Sequence, residues 1–140
     1  MGYNYIMKSV PDFIEGYKSS NDILILGQCP SSNTKPNKNG TYSRLCKWLE
    51  AVDVHAFAFH NVIPDKINSY DIKDVQVKKL YAVTHGRRKI IALGGFAERV
   101  CKKHGISYYK IDHPSPRNRN LNDPKYEEQM LKRLRDYLND

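Results

Sequence analysis

Residues 23–33 read ILILGQCPSSN. Four consecutive aliphatic residues follow Asp22 and stop at a glycine. An amphipathic surface helix carries a polar stripe, whereas a strand covered on both faces has none. A short, wholly apolar run that ends in turn formers therefore reads as a buried strand of a mainly parallel sheet. Gly27 permits a tight turn and a close backbone approach, and Pro30 fixes the chain beyond it.

Working outward, the same signature recurs. Residues 89–93, KIIAL, form a second buried strand, and residues 54–60, VHAFAFH, and 107–112 supply two more. Helical patterns fall between them. Leu45, Trp48, Leu49 and Val52 lie at i, i+3, i+4 and i+7 within 41–52. Residues 71–84 start at Asp71 as N-cap and place Val77, Leu80 and Tyr81 on one face. Gly94-Gly95 opens a helix to about Lys103, with Phe96 and Val100 inward. Asp123 caps a C-terminal helix that begins at Pro124 and repeats Tyr126, Met130, Leu134 and Leu138. Residues 10–18, with Pro11 in the first turn, suggest one further short helix. Strands alternating with amphipathic helices indicate an α/β protein: a three-layer α/β/α fold around a central, mainly parallel four-stranded sheet. The length of 140 residues fits a single domain, 1–140, able to bury its own core.

Composition narrows the partners. The chain is 40% apolar and 27% charged, the balance of a globular protein. No apolar run nears the ~20 residues needed to cross a bilayer, and MGYNYIMKSV lacks the apolar region of a signal peptide, so an intracellular chain without a membrane partner is expected. Lys and Arg exceed Asp and Glu by 23 to 15, a net charge of +8 that favours a polyanion, nucleic acid first. Three widely spaced cysteines, Cys29, Cys46 and Cys101, suit neither a disulfide framework nor a metal cluster. Neither a cofactor nor a metal is indicated.

In parallel sheets the chemistry gathers at the carboxyl ends of the strands. Those ends carry GQCPSSN, HNVIP, GGFAE and DHPSPRNRN. The loop after Gly27 bears Lys35 and Lys38 and reads equally as an ordinary strand-to-helix connection. Asn61 offers a donor and an acceptor on one carboxamide, enough to pair with an amide or imide edge, although an Asn also caps turns. Gly94-Gly95 at a helix start can receive an anion or merely allow close packing. His113, Ser115, Arg117 and Arg119 sit in a loop that Pro114 and Pro116 stiffen, and the arginines and the hydroxyl suit phosphate contacts.

Together these four segments resemble the uracil-DNA glycosylase superfamily over about residues 22–120. GQCPSSN is similar to that superfamily's GQDPY or G-x-x-P-G motif, HNVIP to its strand-end Asn followed by an apolar pair, IIALGGFAERV to its LG-x-x-A segment, and HPSPRNRN to its HPSPL motif. The resemblance implies a DNA partner and a pocket for a base flipped out of the stack. It gives Asn61 the reading of the pyrimidine and His113 the stabilisation of negative charge on the leaving base. Ser115 becomes a phosphate contact, Tyr42 in NGTYSRL a stacking aromatic, and the backbone of the Gly27 turn a support for the pyrimidine carbonyl.

The chain departs from that pattern at three places. Cys29 stands where GQDPY has its Asp, and Gln28 where another branch has Glu, so the catalytic position holds no carboxylate. Ser31 replaces a bulky Tyr and leaves room for a 5-substituent on the pyrimidine. Arg117 replaces the Leu wedge, with Leu121 as an alternative wedge. Three functions follow as expectations beside an unrelated α/β nucleotide-binding role: a glycosylase for uracil or a 5-substituted pyrimidine, a base- or DNA-binding protein with weak or no cleavage, and a variant chemistry in which Cys29 attacks covalently.

Overall fold

The computed structural model describes residues 21–29, 41–63, 69–115 and 117–140. Its regular elements are β1 (Ile23–Gly27), α1 (Thr41–Ala51), β2 (Ala58–Asn61), α2 (Val77–Thr84), β3 (Lys89–Leu93), α3 (Gly94–Lys103), β4 (Tyr109–Ile111) and α4 (Pro124–Leu138). The four strands form one all-parallel sheet in the order β2-β1-β3-β4. Four helices and a four-stranded parallel sheet are the pattern of the three-layer α/β/α class expected from the sequence.

The described residues group into two compact units. The first holds the whole sheet with α2 and α3, residues 21–29, 56–63 and 69–112. Its core forms on one face of the sheet. Leu24, Leu26, Ala58, Ile90 and Ala92 meet Leu80 and Val83 of α2 and Phe96, Ala97, Val100 and Cys101 of α3. Alternation sends Ile25, Phe59 and Ile91 to the other face, where they are equally buried. That two-sided burial is why the strands read as continuous apolar runs.

The second unit comprises residues 41–55, 113–115 and 117–140. There Trp48 Nε1 donates to Glu127 Oε2 at 2.8 Å, and the Arg135 guanidinium donates to the Ala51 carbonyl, tying α1 to α4. The start of α4 follows its sequence signal: Lys125 N–H donates to Asp123 Oδ1 at 2.9 Å, and Pro124 occupies the first turn.

Two elements are shorter than their patterns suggest. The strand expected over 54–60 is ordered only at Ala58–Asn61, and that expected over 107–112 only at Tyr109–Ile111. The helix expected over 71–84 is interrupted. Asp71 does cap a helix, through a reciprocal capping box with Asp74, but it is a single 3₁₀ turn, Ile72–Asp74. Val75 then turns extended and buries its side chain before α2 begins. The helix expected over 10–18 lies outside the described residues.

Candidate functional site

The sheet order fixes where a crevice opens. From β1 the chain passes to β2 on one side, while β3 and β4 follow on the other, so the connections reverse between β1 and β3. Ligands of open parallel sheets gather at the carboxyl ends beside such a reversal. The residues there are Gly27 at the end of β1 with Gln28 and Cys29 after it, Asn61 at the end of β2, and Gly94-Gly95 after β3.

Gly27 and Asn61 are direct partners in the parallel register. Their pairing continues past the strands: Val62 N–H donates to the Gly27 carbonyl at 3.0 Å and Ile63 N–H to the Gln28 carbonyl at 2.9 Å. The Asn61 carboxamide lies directly over Gly27. A Cβ on residue 27 would stand 2.5 Å from Asn61 Oδ1 and 2.8 Å from Phe59 Cζ, closer than atoms approach without displacement. Glycine is thus required here by a neighbouring side chain, which it allows to lie against the backbone. Asn61 is half-buried.

Gln28 and Cys29 do something else. The Gln28 amide donates from Nε2 to the Tyr70 hydroxyl. The Tyr70 ring meets Phe96 edge-on, with centroids 5.2 Å apart at 88°, and the Arg99 guanidinium lies 5.6 Å from the Phe96 centroid. Tyr70 and Cys29 both pack against the apolar cluster under α2 and α3. Gln28 and Cys29 therefore anchor the turn to one face of the sheet, while Asn61 stands on the face of Phe59 and Gly27. Tyr70 carried no local signal for this role, because its partner lies 42 residues away in the chain.

At the end of β3, Gly94 has φ +81° and is buried, a conformation that favours glycine. A methyl group on Gly95 would meet only the end of the Arg99 side chain, at 3.5 Å. Leu93, the N-cap of α3, offers no side-chain oxygen to the first amides of the helix.

In the second unit, His113 follows β4 by two residues and is half-buried. Burial holds its imidazole below the ordinary 6.5, so it is neutral at pH 7 and carries one N–H donor. Ser115 Oγ accepts the Arg117 N–H at 3.2 Å, and the Ser115 carbonyl accepts the Asn118 N–H at 3.0 Å, closing a turn. Arg117 and Arg119 are exposed, as phosphate contacts need to be. Leu121, the alternative wedge, is instead buried at 7% exposure and cannot enter a base stack. Its apolar side chain serves the core at the end of the 3₁₀ turn Arg119–Asn122.

Ser31, Lys35 and Lys38 lie outside the described residues, as does the side chain of Tyr42, whose backbone is in the first turn of α1. Among the described residues no cluster of three His, Cys, Asp or Glu is placed to hold a metal, and no helix is long and apolar enough to cross a membrane. Compared with known proteins, the chain matches no family model, no curated protein and no solved structure.

Proposed function

We propose that this protein is a DNA glycosylase acting on uracil or a 5-substituted pyrimidine, a divergent relative of the uracil-DNA glycosylases. The observation that carries the reading is the seat of the Asn61 carboxamide over Gly27, at the carboxyl ends of β1 and β2. A carboxamide held in one orientation presents an acceptor and a donor side by side, the complement of a pyrimidine's imide edge. On this reading the target nucleotide leaves the stack, because its glycosidic bond is out of reach inside it. The bond from the base nitrogen to the sugar's anomeric carbon breaks, its electron pair leaves with the base, water adds to the sugar carbon, and the proton that water gives up passes through solvent to the base anion. The resemblance also assigns a part to His113, whose neutral imidazole carries an N–H suited to a developing oxyanion, an electrostatic role that needs no proton transfer. Ser31, in place of a bulky aromatic, extends the substrate to 5-substituted pyrimidines. Arg117, Arg119, Ser115, Lys35 and Lys38 serve the phosphates.

A second reading, binding with little cleavage, is favoured by the anchoring of Gln28 and Cys29. Neither provides a carboxylate to steady an oxocarbenium-like sugar, and both are engaged with Tyr70 or the apolar cluster. The same packing weighs against Cys29 as a covalent nucleophile.

Incubation with single- and double-stranded DNA containing uracil or 5-substituted uracils, followed by alkali, separates these functions. Strand breaks at the modified position are expected. A gel shift without breaks would replace hydrolysis by binding, and a denaturant-resistant adduct lost in Cys29→Ala would replace both. Retention of DNA should fall steeply with salt, as counterion release demands.

A further inference from the structure

Among the described residues, the large apolar side chains that stand open to solvent are Val77, 39% exposed, and Tyr81, 48% exposed. They lie one turn apart on α2, so they form one stripe. Tyr81 is fixed in place. Its hydroxyl donates to the His104 carbonyl at 3.2 Å, and its ring meets the His104 imidazole edge-on, with centroids 5.9 Å apart at 87°. A rigid, half-open aromatic ring loses little freedom when something stacks on it.

The surroundings are basic. Lys78 and His85 lie three residues before and four after Tyr81, and Lys79 and Arg88 are exposed nearby in the chain. Lys102 and Lys103, also exposed, immediately precede His104. The acidic groups close by have partners of their own, although Glu98 also lies in the field of Lys102, and Asp74, three residues before Val77, caps the 3₁₀ turn through the Asp71 N–H. Glu98 accepts from the Tyr108 hydroxyl at 2.8 Å and lies 3.7 Å from Lys110, while Asp22 lies 4.0 Å from Arg88. Basic residues at helix C-termini complement the helix dipole, but that accounts neither for an exposed Tyr nor for Val77 beside it.

Chain continuity locates the His104 end of the patch. α2 leads directly into β3, and α3 into β4, so the C-terminal ends of both helices lie at the amino edge of the sheet. Gly27 and Asn61 lie at the carboxyl edge, a strand length of roughly 15 Å away at about 3.3 Å per residue.

We propose that the α2–α3 surface centred on Tyr81 is a docking platform for single-stranded nucleic acid, with a base stacked on the Tyr81 ring and phosphates on Lys78, Lys102 and Lys103. A positively charged track interleaved with an aromatic platform is the general solution for binding single strands without reading sequence. A flat ring on a convex helix face suits a base better than it suits an acidic polypeptide, whose side chains carry charge but no stacking surface. The inference stands independently of base excision, since it concerns the exposed α2–α3 surface and none of the residues assigned to the base.

The test is fluorescence anisotropy of the full chain with a single strand of mixed adenine, guanine and cytosine, free of uracil and thymine, over a salt series, with a thermal melt of every variant. Tyr81→Ala is expected to weaken binding about tenfold at fixed salt and to leave the salt slope unchanged, the loss of one stacked base. Tyr81→Phe should bind within about twofold of the parent. Tyr81→Leu, which keeps the apolar contact and removes the stacking ring, should behave as the alanine variant even if that variant melts early. Lys102→Ala with Lys103→Ala should flatten the slope by about 1.4, two single-strand phosphate contacts. Unaltered affinity in Tyr81→Leu, or a polyglutamate probe bound as tightly as the strand, would overturn the proposal.

Discussion

The turn that ends β1 has two sides, and they differ in kind. On one side Gln28 and Cys29 are engaged with Tyr70 and the apolar cluster beneath α2 and α3. On the other, Gly27 withholds a side chain so that the Asn61 carboxamide can lie against the backbone. Three adjacent residues of one motif thus divide into an anchor and a seat. On the proposed function, recognition belongs to the seat, where the polar side chain is half-buried. The anchor supplies rigidity, which is what a side chain must have behind it to read a ligand.

Substitutions on the two sides should separate accordingly. The largest effect is expected at Gly27. Gly27→Ala places a methyl 2.5 Å from Asn61 Oδ1 and 2.8 Å from Phe59, so stability in urea should fall by about 3 kcal/mol, the upper end for overpacking. Combining it with Asn61→Ala should recover part of that loss, because the two residues touch. Purely additive losses would mean that the seat is not where the strain arises. Tyr70→Phe should cost about 1 kcal/mol, the net worth of its hydrogen bond to Gln28, and leave uracil binding close to normal. A large loss of binding would move Tyr70 and Gln28 from anchor to seat.

A weaker effect, confined to acid, belongs to His113. Its pKa is lowered on folding, so stability is complete above 6.5. As pH falls below 6.5 the unfolded chain takes up a proton that the folded chain resists, and stability declines until the folded-state pKa is reached. Chemical melts between pH 7 and pH 5 should show a shallower decline in His113→Gln than in the parent. The smallest change is expected at Cys29. Cys29→Ala removes one small, half-buried group, should cost about 1 kcal/mol or less by the same melts, and should leave any base release intact.

How much of this was legible beforehand depends on whether the cause is local. KIIAL at 89–93 and the Asp123-Pro124 start of α4 match their patterns residue for residue, because burial on two faces and N-capping are written in adjacent residues. The break in 71–84 was hidden. Asp71 does cap a helix, but the demand that Val75 be buried, a matter of the core and not of the local pattern, stops it after one turn. Leu121 looked like a surface wedge because a single Leu in a polar loop gives no sign of the core it joins. At the site, Gly27 and Asn61 were each visible at a strand end. Their mutual contact was not, since it follows from the parallel register of β1 with β2. Tyr70 was invisible for the same reason.

The central claim is that the Asn61 carboxamide, seated on Gly27, reads a pyrimidine. Its most direct test is the affinity of the protein for a single strand carrying one uracil, against the same strand with an abasic analogue at that position, under conditions in which later alkali reveals no base release. The parent should prefer the uracil strand by about tenfold, roughly the worth of one charge-free paired edge. Asn61→Ala should bind both strands equally, with the affinity the parent shows for the abasic one. A preference for uracil that survives Asn61→Ala undiminished would contradict the account.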